Sequence, residues 1–344
     1  MRPSTGPSAA LCADFGQTVV AWQHRHGRHA LPWQHTTDPY RVWLSEIMLQ
    51  QTQVTTVLGY YERFLQRFPT VVDLGRASLD EVLTMWAGLG YYSRARNLHA
   101  CARAVSELHG GDFPHTAAGL QTLPGIGRST AAAVAAFCFG ERVAILDGNV
   151  KRVLSRVLAF EGDLASSAAE KQLWGHATAL LPEREVARYT QGLMDLGATV
   201  CVPRTPDCGA CPVQALCAGS AGGEPTRFPI KTRKLKRGQR ENWWLWLEHE
   251  GHVLLQQRPA TGVWAGLWTL PMFDSEHTAQ AAVPGVGLET LPRIEHSLTH
   301  FDWVLHTSRA ELHRPSVLPG TWVARDNLVA YALPAPLKKL LLEN

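Results

Sequence analysis

From Cys12 to about Ala198 the apolar residues recur at helical spacing, interrupted by short Gly and Pro breaks and by no convincing strand run. Asp38-Pro39 reads as the N-cap and first residue of a long helix, along which Trp43, Ile47, Gln50 and Val54 share one stripe. A short helix follows near Leu79 to Trp86. Further on, STAAAVAAF runs out of the Gly-rich turn LPGIGR, and NVKRVLSRVL follows the break at Asp147-Gly148. Within the turn, Gly125 and Gly127 can take positive φ without a Cβ penalty. Between residues 219 and 242 the periodicity stops: Gly, Ser and Pro open the segment, and six Lys/Arg lie between Lys231 and Arg240. Beyond it the period becomes two. Trp244, Trp246 and Glu248 alternate, Glu250-Gly251 marks a hairpin turn, and strands are expected around His296 to His306 and Thr321 to Ala324, before a closing helix APLKKLLLEN. The pattern predicts a multidomain chain: an all-α domain over 1–218, a basic linker over 219–241 and an α+β domain over 242–344.

A length of 344 residues suits two domains, and 45% hydrophobic with 18% charged residues suits globular ones. The longest apolar run, AAAVAAFCF, has nine residues, well short of a membrane span. MRPSTGPSAALCADF shows neither an apolar signal core nor a cleavage pattern, so a cytoplasmic location with no membrane partner is expected. A net charge of +3 permits a nucleic-acid partner without indicating one. Four of the seven cysteines crowd between Cys201 and Cys217, which in a cytosolic protein favours metal over disulfides. By count they fit zinc or a [4Fe–4S] cluster equally well, although zinc would usually show two CxxC pairs and only Cys208 and Cys211 make one. Cys12, Cys101 and Cys138 sit singly in apolar helices and read as small core residues.

Two carboxylates stand out. Glu46 lies at the edge of the Trp43–Gln50 stripe, where an apolar wall would desolvate it and raise its pKa; a solvated glutamate is the commoner fate of such a residue. Asp147 follows Ser129 by eighteen residues and opens a helix, where a plain N-cap is the common role. The amides of Gly127, Arg128 and Ser129 would sit at a helix N-terminus, able to hold one phosphate. A helix, such a hairpin and a second helix make a helix–hairpin–helix, a sequence-independent clamp on a DNA backbone.

LPGIGRST followed by ILDGNVKRVLSR resembles the endonuclease III superfamily of DNA glycosylases, and specifically its MutY-type adenine glycosylases. The resemblance runs from about residue 14 to 340. LSEIMLQQTQV matches the stretch that carries the family's acid/base glutamate, which implies that Glu46 is the general acid. It implies that Asp147, kept ionised by backbone amides, stabilises the oxocarbenium-like sugar, with Asn149 orienting Asp147 or a water. Gln50, Gln51, Thr52, Leu89 and Tyr91 match elements that enter the duplex and contact the base opposite the target. Gly125, Gly127 and Arg128 belong to the backbone clamp. The C-x6-C-x2-C-x5-C spacing is that of the superfamily's cluster loop, so Cys201, Cys208, Cys211 and Cys217 are expected to bind [4Fe–4S]. Where strand-cleaving relatives carry a lysine nucleophile this chain has Ser129, which implies a monofunctional enzyme.

VLLQQRP…GVWAGLWTLP resembles a Nudix-type domain without the R-E-x-x-E-E box, and so without its magnesium site. Leu298-Thr299-His300 stands where the family has Phe-Ser-His; Thr299 keeps the hydroxyl, and with His300 is expected to read 8-oxoguanine. The implied function is excision of adenine mispaired with 8-oxoguanine or guanine in duplex DNA, by a monomer, in base excision repair. An endonuclease III-like glycosylase/lyase is opposed by Ser129 and the extra domain. A non-catalytic lesion sensor is opposed by the presence of both Glu46 and Asp147.

Overall fold

The structure is a computed structural model, describing residues 6–232 and 237–342. Part of the basic stretch, Arg233 to Lys236, therefore lies outside the described residues, as does the end of the expected last helix. The helices run α1 Ala9–His26, α2 Pro39–Leu49, α3 Val54–Arg67, α4 Val71–Arg76, α5 Leu79–Trp86, α6 Ser93–His109 and α7 Ala117–Leu120. They continue with α8 Arg128–Phe139, α9 Gly148–Val157, α10 Ser167–Ala179, α11 Val186–Thr199 and α12 Ala218–Ala221, then α13 Glu276–Ala281 and α14 Ala335–Leu342. The strands are β1 Gly238–His249, β2 His252–Gln257, β3 Trp268–Thr269, β4 Met272–Phe273, β5 Glu289–Ser297, β6 Phe301–Glu311 and β7 Thr321–Ala324. Packing divides the chain into two compact units. One comprises Met1–Gln51, Thr70–Val72 and Cys101–Lys234; the other comprises Thr52–Pro69, Asp73–Ala100 and Leu235–Asn344.

In the first unit, α1, α8, α9, α10 and α11 bury one apolar core, with Phe15, Val19, Leu154, Leu173 and Leu196 fully enclosed. Phe15 meets Tyr189 edge-on at 6.2 Å. Gly197 on α11 lets α9 approach closely, since a Cβ there would stand 2.6 Å from Asn149 Cβ. A larger residue would push the start of α9 away. The α2 helix starts as expected, with the Asp38 carboxylate accepting from Tyr40 N at 2.9 Å and Pro39 in the first turn. It is shorter than the stripe predicts. The helix stops at Leu49, Gln51 turns left-handed (φ 57°), and Val54 opens α3. Nothing about a glutamine advertises that turn.

In the second unit, α3 packs on α5, and a mixed sheet has the order β3-β2-β1-β6-β5, with β4 pairing β1 and β7 pairing β2. Trp268 Nε1 donates to Asp80 Oδ1 at 2.8 Å and Arg96 Nη1 to Ala265 O at 3.0 Å, tying the helical segments to the sheet. The hairpin at Glu250-Gly251 is as expected, both residues having positive φ (44° and 73°), the tight form that suits twisted strands. The alternation along β1 did not translate into two faces: Trp244 to Glu248 are all buried, because β1 lies inside the sheet with both faces covered. The strand expected over His296 to His306 is instead a hairpin. β5 and β6 run antiparallel, with Leu298-Thr299-His300 as their turn and Leu298 N donating to Phe301 O at 2.9 Å. Among the described residues no helix is long and apolar enough to cross a membrane.

Candidate active site and iron–sulfur loop

Glu46 projects from α2 into a cavity of about 540 Å³ within the first unit, walled by Gln23, Arg28, Trp33, Phe137 and Gln191 among others. Burial first, and then the negative charge of Asp147, push its carboxyl up to about 8. Asp147 is the N-cap of α9, accepting from Val150 N at 2.7 Å. The Asn149 and Val150 amides and the cations Arg152 and Lys151 favour its charged form, yet burial outweighs them and its carboxyl too is held above the ordinary range. The backbone amides expected to favour its charge do donate to it, and desolvation acts against them as the larger effect. With its carboxyl raised to about 8, Glu46 keeps its proton at neutral pH.

Asn149 meets Asp147 through its backbone amide. Its carboxamide oxygen is taken by Arg152 Nη2 at 2.9 Å. The same Arg152 donates to Gly197 O at 2.7 Å and, through Nε, to Cys201 O at 2.8 Å. One guanidinium thus connects the residue beside Asp147 to the first cysteine of the metal loop. Sequence reasoning missed this, although Arg152 and Arg156 one turn apart behind DGN were the available signal. It also missed the cavity wall. Arg28 is fixed there by the fully buried Asp195, through its amide at 3.0 Å and Nε at 2.7 Å, and Trp33 is 7% exposed. Nor did Cys138 prove a core residue: it is half-buried, and burial, then Asp38, then Glu46 push its thiol up to about 12.

The hairpin between α7 and α8 is exposed at Pro124, Gly125, Gly127 and Arg128, and anchored by the buried Leu123 and Ile126. Gly125 uses the left-handed region (φ 74°), whereas Gly127 does not (φ −81°) and serves as a cap without a side chain. That leaves the first amides of α8 without a side-chain acceptor. The Arg128 guanidinium lies 3.8 Å over Trp174, and Ser129 is half-buried in the first turn.

In the second unit the GLGYY loop is held by Arg94, 7% exposed, whose Nη2 donates to Leu89 O, Gly90 O and Thr52 Oγ1 at 3.0, 3.2 and 3.1 Å. Leu89 departs from its expected role at the duplex: it is 5% exposed and packed inward. Tyr91 is the residue presented, 45% exposed and left-handed (φ 49°). Its hydroxyl lies 3.4 Å from Thr299 Oγ1, so the loop and the β5–β6 turn meet, with Thr299 and His300 exposed. Gln50 is half-buried and Gln51 exposed where α2 ends.

Cys201, Cys208, Cys211 and Cys217 line one cavity together with Val153, Val157 and Leu196. Burial pushes the Cys211 thiol up to about 11, and its three fellow cysteines add to that. Among the described residues no three metal-binding side chains close on a single ion. Four thiols lining one cavity are the donor set that a [4Fe–4S] cluster takes. Arg156, 2% exposed, braces the loop: Nη1 donates to Cys201 Sγ at 3.3 Å and Val202 O at 2.8 Å, and Nη2 to Pro203 O at 2.8 Å. A bound cluster would supply four iron–thiolate bonds that hold this loop in shape.

These features agree with comparisons to known proteins. Residues 44–177 match the HhH-GPD superfamily of base excision DNA repair proteins, 201–217 the iron–sulfur binding domain of endonuclease III, and 242–343 a NUDIX domain. The adenine DNA glycosylase of Buchnera aphidicola subsp. Baizongia pistaciae is 33% identical over 339 residues, covering 95% of this chain and 95% of that protein. The adenine DNA glycosylase of Homo sapiens is 34% identical over 399 residues, covering 95% and 73%. A thermostable thymine-DNA glycosylase of known structure superposes with TM-score 0.55 at 30% identity, over 62% of this chain and 98% of that one. An endonuclease III–DNA complex shares the fold at TM-score 0.54 and 20% identity, over 63% and 98%. With Glu46 and Asp147 in one site, a cysteine loop of the superfamily's spacing and relatives alike along nearly its whole length, the chain belongs to the adenine DNA glycosylase family, with an iron–sulfur loop and a NUDIX domain following its helix–hairpin–helix region.

Proposed function

We propose that the protein is a monofunctional DNA glycosylase that removes adenine mispaired with 8-oxoguanine, or with guanine, from duplex DNA. The observation that carries this is Glu46, whose carboxyl sits at about 8 inside a cavity of about 540 Å³, large enough for a flat base. A protonated carboxyl at neutral pH can give its proton to the leaving purine as the N-glycosidic bond lengthens. Asp147, in its charged form, places negative charge where the sugar becomes cationic. Asn149, oriented by Arg152, lines up the start of α9 behind it. With Ser129 where a strand-cleaving enzyme needs an amine, no Schiff base forms at that position.

The exposed hairpin amides at Gly125, Gly127 and Arg128 hold a backbone phosphate, and Gln50, Gln51, Thr52 and Tyr91 enter or border the base stack, with Leu89 supporting from beneath. Thr299 and His300 read the oxidised base. In this reading the chain acts as a cytoplasmic, nucleoid-associated monomer. Residues 1–218 carry the chemistry, 219–241 link, and 242–344 recognise the lesion. Incubation with duplexes bearing A:8-oxoG, A:G or thymine glycol tests it: adenine release from the first two and no strand scission is expected. Release from thymine glycol with strand scission would replace this reading with a glycosylase/lyase.

A further inference from the structure

In the second unit the carbonyls of three successive residues, Leu89, Gly90 and Tyr91, all accept from one residue. Arg94 Nη2 donates to Leu89 O at 3.0 Å and Gly90 O at 3.2 Å, and the Arg94 amide donates to Tyr91 O at 2.8 Å. The same Nη2 reaches Thr52 Oγ1 at 3.1 Å, 42 residues earlier in the chain. The guanidinium lies 5.2 Å from the Trp86 centroid and 5.5 Å from that of Tyr91, and Trp86 Nε1 donates to Gly90 O at 3.0 Å. From α3, the Tyr60 hydroxyl donates to Ala87 O at 2.8 Å. Gly88, Gly90 and Tyr91 are all left-handed (φ 105°, 70° and 49°). A tyrosine holds that conformation only where its surroundings impose it. The backbone is gripped, while the Tyr91 side chain is presented, 45% exposed.

Burying a guanidinium is costly. Arg94 is 7% exposed, and burial pulls its pKa down to about 10, so it keeps its charge at neutral pH. Several acceptors at fixed positions require a planar fork. The fork also holds more than the loop itself, since Thr52 belongs to another segment, directly after the left-handed Gln51 and before α3. A ring driven between stacked bases is pushed back by the stacking it displaces. A loop that yields transmits none of that push. We propose that Arg94 is a positioning residue for duplex opening: it locks the Gly88–Tyr91 loop to Thr52, so that Tyr91 enters the base stack as a rigid wedge. Arg94 acts through Tyr91 and Thr52, so this role rests on the function proposed above, in which both border the duplex.

The test uses the full chain and a duplex carrying 2-aminopurine beside the base opposite the target adenine, where opening of the stack raises its fluorescence. At saturating protein the wild type should raise that fluorescence severalfold. Arg94→Lys keeps a cation but not the fork. It should bind the duplex within about threefold of wild type, yet lose most of the fluorescence rise and about tenfold in single-turnover rate at saturation. Thr52→Val removes the hydroxyl link from a side chain of the same shape, and should lower both readouts by about threefold. In a Tyr91→Ala background, with no wedge to stiffen, Thr52→Val should change neither. Should Arg94→Lys unfold, that contrast between the two backgrounds still decides. Three results would overturn the proposal. One is a full fluorescence rise in both Arg94→Lys and Thr52→Val. Another is a lowered melting temperature with rate and signal per folded molecule unchanged, which would leave Arg94 a stabilising residue only. The third is an equal loss from Thr52→Val with and without Tyr91, which would make Thr52 an independent DNA contact. The fluorescence reports unstacking and not excision. Its loss in the variants therefore supports the wedge even for a wild type that releases no adenine, an outcome that would overturn only the function proposed above.

Discussion

Arg152 Nη2 donates to Asn149 Oδ1 at 2.9 Å, while its Nε donates to the carbonyl of Cys201 at 2.8 Å. The start of α9, where Asp147 caps the helix, is therefore held from the same guanidinium that holds the cysteine loop. Removing it takes the donor from Asn149 Oδ1 and Gly197 O, each loss costing roughly 1–3 kcal/mol, while Cys201 O keeps Arg156 Nη1 at 3.3 Å. Arg152→Gln should slow single-turnover excision at least about tenfold while the four cysteines still bind iron. Lys at this position should rescue little, since one ammonium cannot reproduce the planar fork. An unchanged rate with Arg152→Gln would show that the chain of bonds does not position Asp147.

Glu46→Gln should abolish excision and yet stabilise the fold. An amide has no proton to give, and loss of the general acid costs roughly two to four decades in rate. Excision within about threefold of wild type would remove Glu46 from that role. The stability effect follows from sign. The carboxyl rises from 4.5 to about 8 on folding, so the native chain binds the proton more tightly than the unfolded one. Stability from this group is intact below about 4.5 and is lost as pH climbs towards 8. Gln removes that loss, so at pH near 8 the variant should melt higher, by the equivalent of roughly a few kcal/mol. For the same reason the wild-type rate should fall above about pH 8, as Glu46 gives up its proton. A rate flat to pH 9.5 or so, with chemistry limiting, would mean another acid acts.

Much of this was legible in local chemistry. Asp38-Pro39, the Glu250-Gly251 turn and strand β7 each carry their signal in two to four adjacent residues. What stayed hidden depended on tertiary surroundings. The apolar stripe continues past Leu49 although the helix does not: Gln51 turns left-handed and α3 starts only at Val54. Leu89 and Tyr91 are two apart in one loop, and only packing around Arg94 decides that the leucine is buried and the tyrosine presented. Glu46 and Asp147 were singled out by motif resemblance; their desolvation was not legible, since it depends on what the fold places around them.

Ser129→Lys should introduce strand cleavage. Ser129 is half-buried in the first turn of α8, behind the exposed hairpin. If LPGIGRST corresponds to the lyase motif it resembles, an amine there would stand where the nucleophile acts. Borohydride should then trap a protein–DNA adduct with the variant and not with wild type. If a folded variant yields no adduct, the correspondence of LPGIGRST with the lyase motif is wrong.

The cysteine loop should yield about four irons per chain on anaerobic purification, with a yellow-brown colour. Cys208→Ser should lower DNA affinity or soluble yield more than the chemical step, since the cavity it lines is separate from that around Glu46. One zinc and no iron would overturn the assignment.

The meeting of Tyr91 with Thr299, 3.4 Å apart and 208 residues apart in sequence, makes the last prediction sharper than sequence alone allowed. 8-Oxoguanine differs from guanine by one oxygen and one proton, so a reader needs few but well-placed polar groups. Thr299 and His300 are exposed on the β5–β6 turn, and the turn is fixed by Gly238 N donating to His300 O at 3.0 Å. Their side chains can therefore be changed without removing that backbone bond. Each hydrogen bond to the lesion is worth roughly 0.5–1.5 kcal/mol, about a threefold to tenfold preference. Thr299→Ala with His300→Ala should thus weaken A:8-oxoG binding or slow its processing more than it affects A:G, where Glu46 and Asp147 still act. Tyr91→Phe, which removes only the hydroxyl that meets Thr299, should shift the same preference in the same direction by less. Parallel single-turnover assays on the two mispairs separate the possibilities. Equal losses on both would make the turn a general DNA clamp, and no loss on either would leave Thr299 and His300 as surface residues of the hairpin.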